Sequence, residues 1–341
     1  MNSGRSAGGK AAKATGIDDV ARLADALDAG DRRAVARAIT LVESSRADHR
    51  ERAEALLERV MPSTGKSMRL GISGAPGVGK STFIEAFGLH AIAEGHRVAV
   101  LAVDPSSKRG GGSILGDKTR MENLSNAPEA FIRPSPAGAT LGGVARRTRE
   151  AMLVTEAAGF DVIVVETVGV GQSETAVADM VDMFILLTSP AGGDELQGIK
   201  RGIMELADLV VVNKSDGALL SAANRAAADY RRALQLIRPS SPKWRTPVAQ
   251  CSALDGKGIP ETWNIVERYR TAQTANGTFA TRRQEQARAW LWSEATETLL
   301  ANLKSHPGVG KRIEEIEKAV AAGRVSPTAG ARRLLEAFQK S

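Results

Sequence analysis

A glycine-rich segment, residues 74–81, has the residue types and spacing that bind phosphate groups. It fits the pattern Gly-x-x-x-x-Gly-Lys-Ser, follows an apolar run typical of a buried strand and precedes a run typical of a helix. Glycines let successive backbone N–H groups point inward, and the start of a helix adds unpaired N–H groups. The nucleotide-binding residues expected here are Gly74, Ala75, Pro76, Gly77, Val78, Gly79, Lys80, Ser81 and Thr82.

Two side chains at the end of this loop could carry chemistry. Lys80 would bridge the β- and γ-phosphates of a nucleotide, and the Ser81 hydroxyl would be a ligand of Mg²⁺. A glycine-rich turn that binds nothing is the alternative, but further nucleotide motifs follow in the chain and argue against it. The sequence therefore predicts a nucleotide site in which Lys80 is a catalytic residue.

Residues 213–216, Asn-Lys-Ser-Asp, fit the Asn-Lys-x-Asp pattern of a guanine site. The Asp216 carboxylate would accept hydrogen bonds from guanine N1–H and from the exocyclic amine, a pair that adenine does not offer. The stem of Lys214 would pack along the base, and Asn213 would brace the loop. A second guanine element follows the last predicted strand, where backbone N–H groups would meet guanine O6; it comprises Ser252, Ala253 and Leu254.

A carboxylate motif, Glu166-Thr-Val-Gly169, stands where GTPases usually carry Asp-x-x-Gly. Glu166 would hold Mg²⁺ through a water molecule, and the N–H group of Gly169 would sense the γ-phosphate. The next residue is Val170 rather than the glutamine that orients water in signalling GTPases, so we expect slow intrinsic hydrolysis unless a partner completes the site. Gln172 lies nearby in the sequence, and no role is assigned to it.

Two aspartates outside these motifs are further candidates for the metal site. Asp104 follows the second predicted strand and would reach Mg²⁺ or the attacking water as a catalytic residue. Asp117 ends a glycine-rich loop, and a helix N-cap is an equally good interpretation of it. The predicted metal ligands are Ser81, Asp104, Asp117 and Glu166.

Strand-like apolar runs alternate with helical segments from Met68 onward, which predicts an α/β fold with a mainly parallel sheet. Ligands of such sheets bind at the carboxyl ends of the strands, where all these motifs lie. The strand signal stops near Gly277, and three helices are predicted beyond it. The predicted organisation is a disordered tail (1–16), a helical N-terminal extension (17–65), a P-loop GTPase domain (66–275) and a helical C-terminal arm (276–341).

The C-terminal arm either caps its own domain or forms a dimer. Trp290, Leu291 and Trp292 are adjacent and therefore cover more than one face of a helix, which favours dimerisation.

Composition limits the other function classes. The chain has 341 residues, 43% of them hydrophobic, with a net charge of +7. We find no secretory signal and no apolar run of about 18 residues, so no membrane span is expected. We find no basic stripe with interleaved aromatic residues in the sequence, so nucleic-acid binding is not expected. The single cysteine, Cys251, fits a reducing compartment, and we expect a cytoplasmic protein.

Several stretches together resemble one family, the methylmalonyl-CoA mutase-associated GTPases, also known as LAO/AO transport ATPases. The human methylmalonic aciduria type A protein is the counterpart of its bacterial members. The motif at 166–169, with Glu where most GTPases carry Asp, also resembles that of a wider subclass of GTPases. Members of that subclass act as maturation factors for metalloenzymes and cobalamin enzymes. The resemblance covers residues 20–340, and the stretches that carry it are 104–107, 112–121, 133–136, 166–174 and 194–200.

The resemblance implies a homodimer, formed through the C-terminal arm, that hydrolyses GTP to GDP with Mg²⁺. It also implies a partner, an adenosylcobalamin-dependent methylmalonyl-CoA mutase or a related acyl-CoA mutase, whose cofactor delivery the GTPase gates and which it protects. Mobile switch segments are implied near residues 104–117, 169–175 and 189–200. Within the last, Lys200 resembles a catalytic residue that turns toward the nucleotide when the mutase binds, although residues 189–193 vary within the family.

Three other functions remain as alternatives. A nucleotide-dependent kinase or ATPase of amino-acid (LAO/AO) transport is the first, and the guanine motif argues against it. A metal-insertion GTPase would need a His-rich tract or paired cysteines, and the sequence has four histidines and one cysteine. A structural dimer that only retains a nucleotide would show no turnover.

Overall fold

The computed structural model describes residues 7–44, 46–103, 121–134, 141–167, 173–190, 201–237 and 243–339. The chain divides into two compact units, Met1–Arg282 and Arg283–Ser341. The predicted sheet and the motif residues that the structure describes all lie in the first unit.

A seven-stranded parallel sheet forms the centre of the first unit. Its strands are β1 (Met68–Ser73), β2 (Val98–Val103), β3 (Ala130–Arg133), β4 (Val162–Thr167), β5 (Met183–Thr188), β6 (Leu209–Val212) and β7 (Val248–Gln250). Their order across the sheet is β3-β2-β4-β1-β5-β6-β7, which confirms the predicted fold class. Strand β1 is central, and its Leu70 pairs with Val164 of β4 on one side and with Met183 of β5 on the other.

Helices follow or precede each strand along the chain. They are α1 (Ala7–Asp28), α2 (Arg32–Val42), α3 (Ala47–Val60), α4 (Lys80–Ala93), α5 (Glu122–Asn126), α6 (Leu141–Ala157), α7 (Ser173–Ala178), α8 (Arg201–Leu206), α9 (Leu220–Gln235), α10 (Ile259–Ala275), α11 (Thr278–Ser305), α12 (Pro307–Ala321) and α13 (Pro327–Gln339). Helix α1 begins at Ala7, inside the stretch whose composition predicts disorder.

The helical extension shares one hydrophobic core with a face of the sheet. Leu27 of α1, Ile39 of α2 and Leu56 of α3 are fully buried in the same cluster as Val165 of β4. Helix α2 begins after Asp31, whose side chain accepts hydrogen bonds from two backbone N–H groups of its first turn. The apolar spacing of these helices therefore serves ordinary packing against the sheet.

The opposite face of the sheet is covered by α4 and α10. Phe87 of α4 and Trp263 of α10 meet edge to face with their ring centroids 5.4 Å apart, over the buried side chains of Leu70 and Ile72. Because both faces are covered by helices, the strands are apolar along nearly their whole length, as expected for a parallel sheet.

A buried ion pair lies at the amino end of β1. Arg69 at the start of β1 donates two hydrogen bonds of 2.9 Å to Glu156 of α6, which also accepts from the backbone of Gly65 and from Ser67. The Glu156 side chain is 1% exposed. Burial raises the pKa of Glu156, but the hydrogen bonds and the Arg69 charge outweigh it and hold the pKa below its ordinary value.

The second unit is helical, in agreement with the predicted C-terminal helices. Within it, α12 and α13 pack closely, since a Cβ atom at Gly330 would lie 2.9 Å from Val320 Cγ2. His306 caps the start of α12 by accepting a hydrogen bond from the N–H of Gly308, and its ring meets Phe338 edge to face. Large apolar side chains remain exposed on α11, among them Trp292 at 72%.

Candidate functional site

The glycine-rich loop joins the central strand to a helix and packs tightly against its surroundings. Strand β1 ends at Ser73 and α4 begins at Lys80. A Cβ atom at Gly74 would lie 2.2 Å from the carbonyl oxygen of Leu187 in β5, so only glycine fits there. Gly79 has φ of 91°, and a Cβ atom there would lie 2.7 Å from the Asn213 amide nitrogen. The loop therefore lies directly on the neighbouring strand and on the predicted guanine loop.

The loop's own carbonyl groups hold the Lys80 ammonium. Its Nζ donates to the carbonyl oxygens of Gly74 at 2.7 Å and Ala75 at 3.2 Å. Burial lowers the pKa of Lys80 below its ordinary value, while the charges of Glu166 and Glu174 oppose that shift. This arrangement places a partly desolvated cation inside the loop, where phosphate oxygens would meet it.

Asn213 is the residue that joins three loops of the site. Its side-chain nitrogen donates to the carbonyl of Val78 at 3.0 Å. Its side-chain oxygen accepts from the N–H of Ala253 at 3.1 Å and from the Cys251 thiol at 3.4 Å. Asn213 is 2% exposed, so a single buried amide fixes the phosphate loop against the segments that follow β6 and β7.

Lys214 and Asp216, which complete the guanine motif, differ in their contacts. Lys214 adopts a left-handed backbone conformation with φ of 58°, and its Nζ donates to the carbonyl of Gly77 at 2.6 Å. Such a conformation costs a non-glycine residue about 1–3 kcal/mol and is concentrated at functional sites. The half-buried Asp216 carboxylate makes no hydrogen bond within the described part of the chain. It thus remains available to a ligand.

The segment after β7 offers fewer free donors than its sequence indicates. The N–H of Ser252 donates to the carbonyl of Lys257 at 2.9 Å, and that of Ala253 donates to Asn213. The N–H of Leu254 makes no hydrogen bond to any residue that the structure describes, and Leu254 is 83% exposed. Leu254 is therefore the member of this segment whose backbone donor is available.

The described residues supply two of the four predicted metal ligands. Ser81 lies in the first turn of α4, and Glu166 near the end of β4 pairs with Ile72 of β1, next to the loop. A hydroxyl and a carboxylate are hard oxygen ligands, which fit a Mg²⁺ ion that also takes phosphate oxygens and water. No cluster of three His, Cys, Asp or Glu side chains suited to a metal occurs among the described residues. Four predicted site residues lie outside the described residues: Asp104, Asp117, Gly169 and Lys200.

Glu174 is a buried acid that sequence reasoning did not assign to the site. It lies in the first turn of α7 and is 1% exposed, and its Oε2 atom has no hydrogen-bond partner in the residues that the structure covers. One turn later, Val177 packs on Gly71 of β1, which holds α7 against the central strand. The resemblance places Glu174 within the implied switch segment 169–175, but an acidic residue at a helix start usually faces water, so the sequence does not predict its burial.

The comparisons with known proteins identify the family of this chain. The profile of the family described as "Methylmalonyl Co-A mutase-associated GTPase MeaB" matches residues 35–308. The methylmalonic aciduria type A homolog of Mus musculus is 51% identical over 94% of this chain and 80% of its own length. GTPase ArgK of Escherichia coli is 48% identical over 91% and 94% of the two chains. A solved structure of an LAO/AO transport system kinase is 42% identical, with a TM-score of 0.75 over 94% of this chain and 97% of that one. The chain therefore belongs to the family of methylmalonyl-CoA mutase-associated GTPases.

Proposed function

We propose that this protein hydrolyses GTP to GDP and phosphate with Mg²⁺, and that it is a chaperone of an adenosylcobalamin-dependent methylmalonyl-CoA mutase. In this role it gates delivery of the cofactor and protects the mutase. The observation that carries the nucleotide assignment is the Asn213 amide, which joins the phosphate loop to both guanine segments. The family's description as mutase-associated supports the partner.

Nucleotide binding would use groups that the chain leaves available. Residues 74–82 would surround the phosphates, and Lys80 would exchange its carbonyl partners for the β- and γ-phosphate oxygens. The Asp216 carboxylate would accept from guanine N1–H and N2. The N–H of Leu254 would donate to guanine O6, while Ser252 and Ala253 hold the loop in shape.

Ser81 and Glu166 would hold Mg²⁺, Glu166 through a water molecule, and the ion would neutralise charge on the β- and γ-phosphates. Asp104, Asp117, Gly169 and Lys200 are proposed to complete the site as metal, switch and catalytic residues. Val170 occupies the position after Gly169, so intrinsic hydrolysis would be slow and the mutase would accelerate it.

The C-terminal helices are proposed to form a homodimer interface. Exposed apolar side chains on α11 support this proposal, since isolated monomers rarely expose several large apolar residues together. The exposed apolar residues of α11 are Leu291, Trp292, Leu299 and Leu300. The proposed location is the cytoplasm. Among the described residues, no helix has both the length and the apolar character that crossing a membrane requires.

A kinase or ATPase of amino-acid transport is the second candidate, because a solved structure at 42% identity carries the name LAO/AO transport system kinase. The two candidates differ in the nucleotide they select and in the molecule that accelerates turnover. A transport kinase would transfer phosphate to a protein or substrate, whereas the proposed GTPase releases it to water.

The deciding experiment measures GTP and ATP turnover with and without purified apo-methylmalonyl-CoA mutase. We expect selective GTP hydrolysis that the mutase stimulates, and no turnover in Lys80→Ala with unchanged circular dichroism. Tight, selective GTP binding without stimulation would reject this mutase as the partner and leave the GTPase assignment intact. Equal use of ATP and GTP would reject the guanine assignment.

A further inference from the structure

A cavity of about 470 Å³ lies among the three helices of the N-terminal extension, α1, α2 and α3. Its volume is within the range of pockets that bind small molecules. These helices cover the sheet face opposite to α4, so the cavity is separate from the phosphate loop. The polar residues around it are Asp19, Arg22, Arg37, Thr40, His49 and Arg52.

Positive charge in the cavity exceeds what the protein itself neutralises. Each of the three helices contributes one arginine, and Asp19 is the one carboxylate among the described residues that line the cavity. Asp19 is already paired with Arg52. Arg22 and Arg37 make no hydrogen bond or ion pair within the part of the chain that the structure describes. The lining therefore presents at least two guanidinium groups without an internal anion.

Arg52 is the arginine of the lining that the protein neutralises itself. Its guanidinium pairs with Asp19, and its Nε atom is buried without a hydrogen-bond partner among the described residues. Because that atom has almost no accessible surface, a ligand in the cavity would not reach it. The charge that the cavity offers to a ligand is therefore that of Arg22 and Arg37.

We propose that this cavity binds the phosphate group of a small phosphate monoester. Arg22 and Arg37 are two positive charges without an internal anion, and the phosphate dianion of a monoester carries two negative charges that would neutralise both. A carboxylate carries one negative charge and would leave one of the two arginines without a counter-ion. The buried side chains of Leu23 and Leu41 also line the cavity and would contact an apolar part of the ester.

Calorimetry with phenyl phosphate, on the full chain loaded with GDP and Mg²⁺, tests the proposal, because the nucleotide blocks the phosphate loop. We expect one phenyl phosphate per chain and weaker binding of benzoate. Arg37→Gln should lower the affinity at least about tenfold, since a charge-assisted hydrogen bond is lost. Arg33→Gln on the same helix is the matched control, because Arg33 is exposed like Arg37 but does not line the cavity, and it should leave binding unchanged.

Arg22→Gln repeats the test from a different helix, so the result does not depend on how one variant folds. Circular dichroism and GDP affinity should match the parent protein in both variants. The proposal is wrong if phenyl phosphate does not bind at millimolar concentration, or if it binds equally well to the Arg22 and Arg37 variants. Tighter binding of benzoate than of phenyl phosphate would overturn the phosphate assignment.

Discussion

The side-chain amide of Asn213 donates a hydrogen bond to the carbonyl of Val78 and accepts one from the N–H of Ala253. In Asn213→Ala both buried backbone groups lose their partner, which costs about 1–3 kcal/mol for each. We expect GTP affinity to fall at least about tenfold, because the phosphate loop and the guanine loop are no longer fixed to each other. Titration with a fluorescent GTP analogue measures this.

The control for this variant is Asn224→Ala, since Asn224 on α9 is exposed and pairs only with Gln250 among the described residues. It should keep the parent's GTP affinity. Equal affinity in the Asn213 and Asn224 variants would show that the link between the loops contributes nothing to nucleotide binding.

Asp216→Asn should weaken GTP binding and shift preference toward xanthosine triphosphate. The asparagine side chain offers a donor where the carboxylate offers an acceptor, so its hydrogen-bonding pattern matches xanthine rather than guanine. Competition between the two nucleotides, measured on parent and variant, provides the comparison. Unchanged GTP affinity in the variant would remove Asp216 from the guanine site.

Glu174→Gln should raise the thermal stability of the protein and lower its GTP turnover. Removing a buried charge whose Oε2 has no partner within the described residues should raise the melting temperature, because the desolvation cost of the charge disappears. The same change removes a negative charge that acts on Lys80, so we expect GTP turnover to fall at least about tenfold. Calorimetric melting and steady-state turnover measure the two effects.

Glu94→Gln is the control for this pair of measurements, because Glu94 lies at the exposed end of α4. It should change neither property appreciably. Lower stability together with normal turnover in Glu174→Gln would indicate that Glu174 has a purely structural role.

Glu156→Gln should destabilise the protein by about 3–5 kcal/mol at pH 7, because it removes the carboxylate that pairs with the buried charge of Arg69 and leaves only the nearby charge of Asp182 to offset it. The folded-state pKa of Glu156 lies below its ordinary value of 4.5. Its charge therefore stabilises the fold fully above that ordinary pKa, and this stabilisation is lost as the pH falls through the lower folded-state pKa. Urea denaturation at pH 7 and near pH 3 should show a gap between parent and variant that narrows in acid. A constant gap would contradict the assignment.

Cys251 should react very slowly with thiol reagents in the native protein. Burial, together with the nearby charge of Asp216, raises the pKa of Cys251 to about 12. At pH 8 about one molecule in ten thousand would carry the reactive thiolate. A colourimetric disulfide reagent should label the folded protein far more slowly than the urea-unfolded protein. Comparable rates would show that the thiol is accessible and ionised.

The order of the sheet illustrates how much of the fold was predictable. Continuous apolar runs such as 162–165 predict buried parallel strands, because helices must cover both faces of such a sheet. No single apolar run predicts the order of the strands across the sheet. It depends on contacts such as those of Gly71, where the absence of a Cβ atom lets Val177 and Phe184 pack against β1.

The roles of Lys80, Ser81 and Asp216 are predicted from the sequence alone, because residue type and spacing within one short segment are local properties. Which groups remain available for a ligand depends on how distant segments pack together. In the folded protein the N–H groups of Ser252 and Ala253 donate hydrogen bonds to other residues of the chain. Glu174 is buried where its charge acts on Lys80, and arginines from three helices line one cavity. These outcomes depend on distances between segments far apart in the chain, which no local pattern encodes.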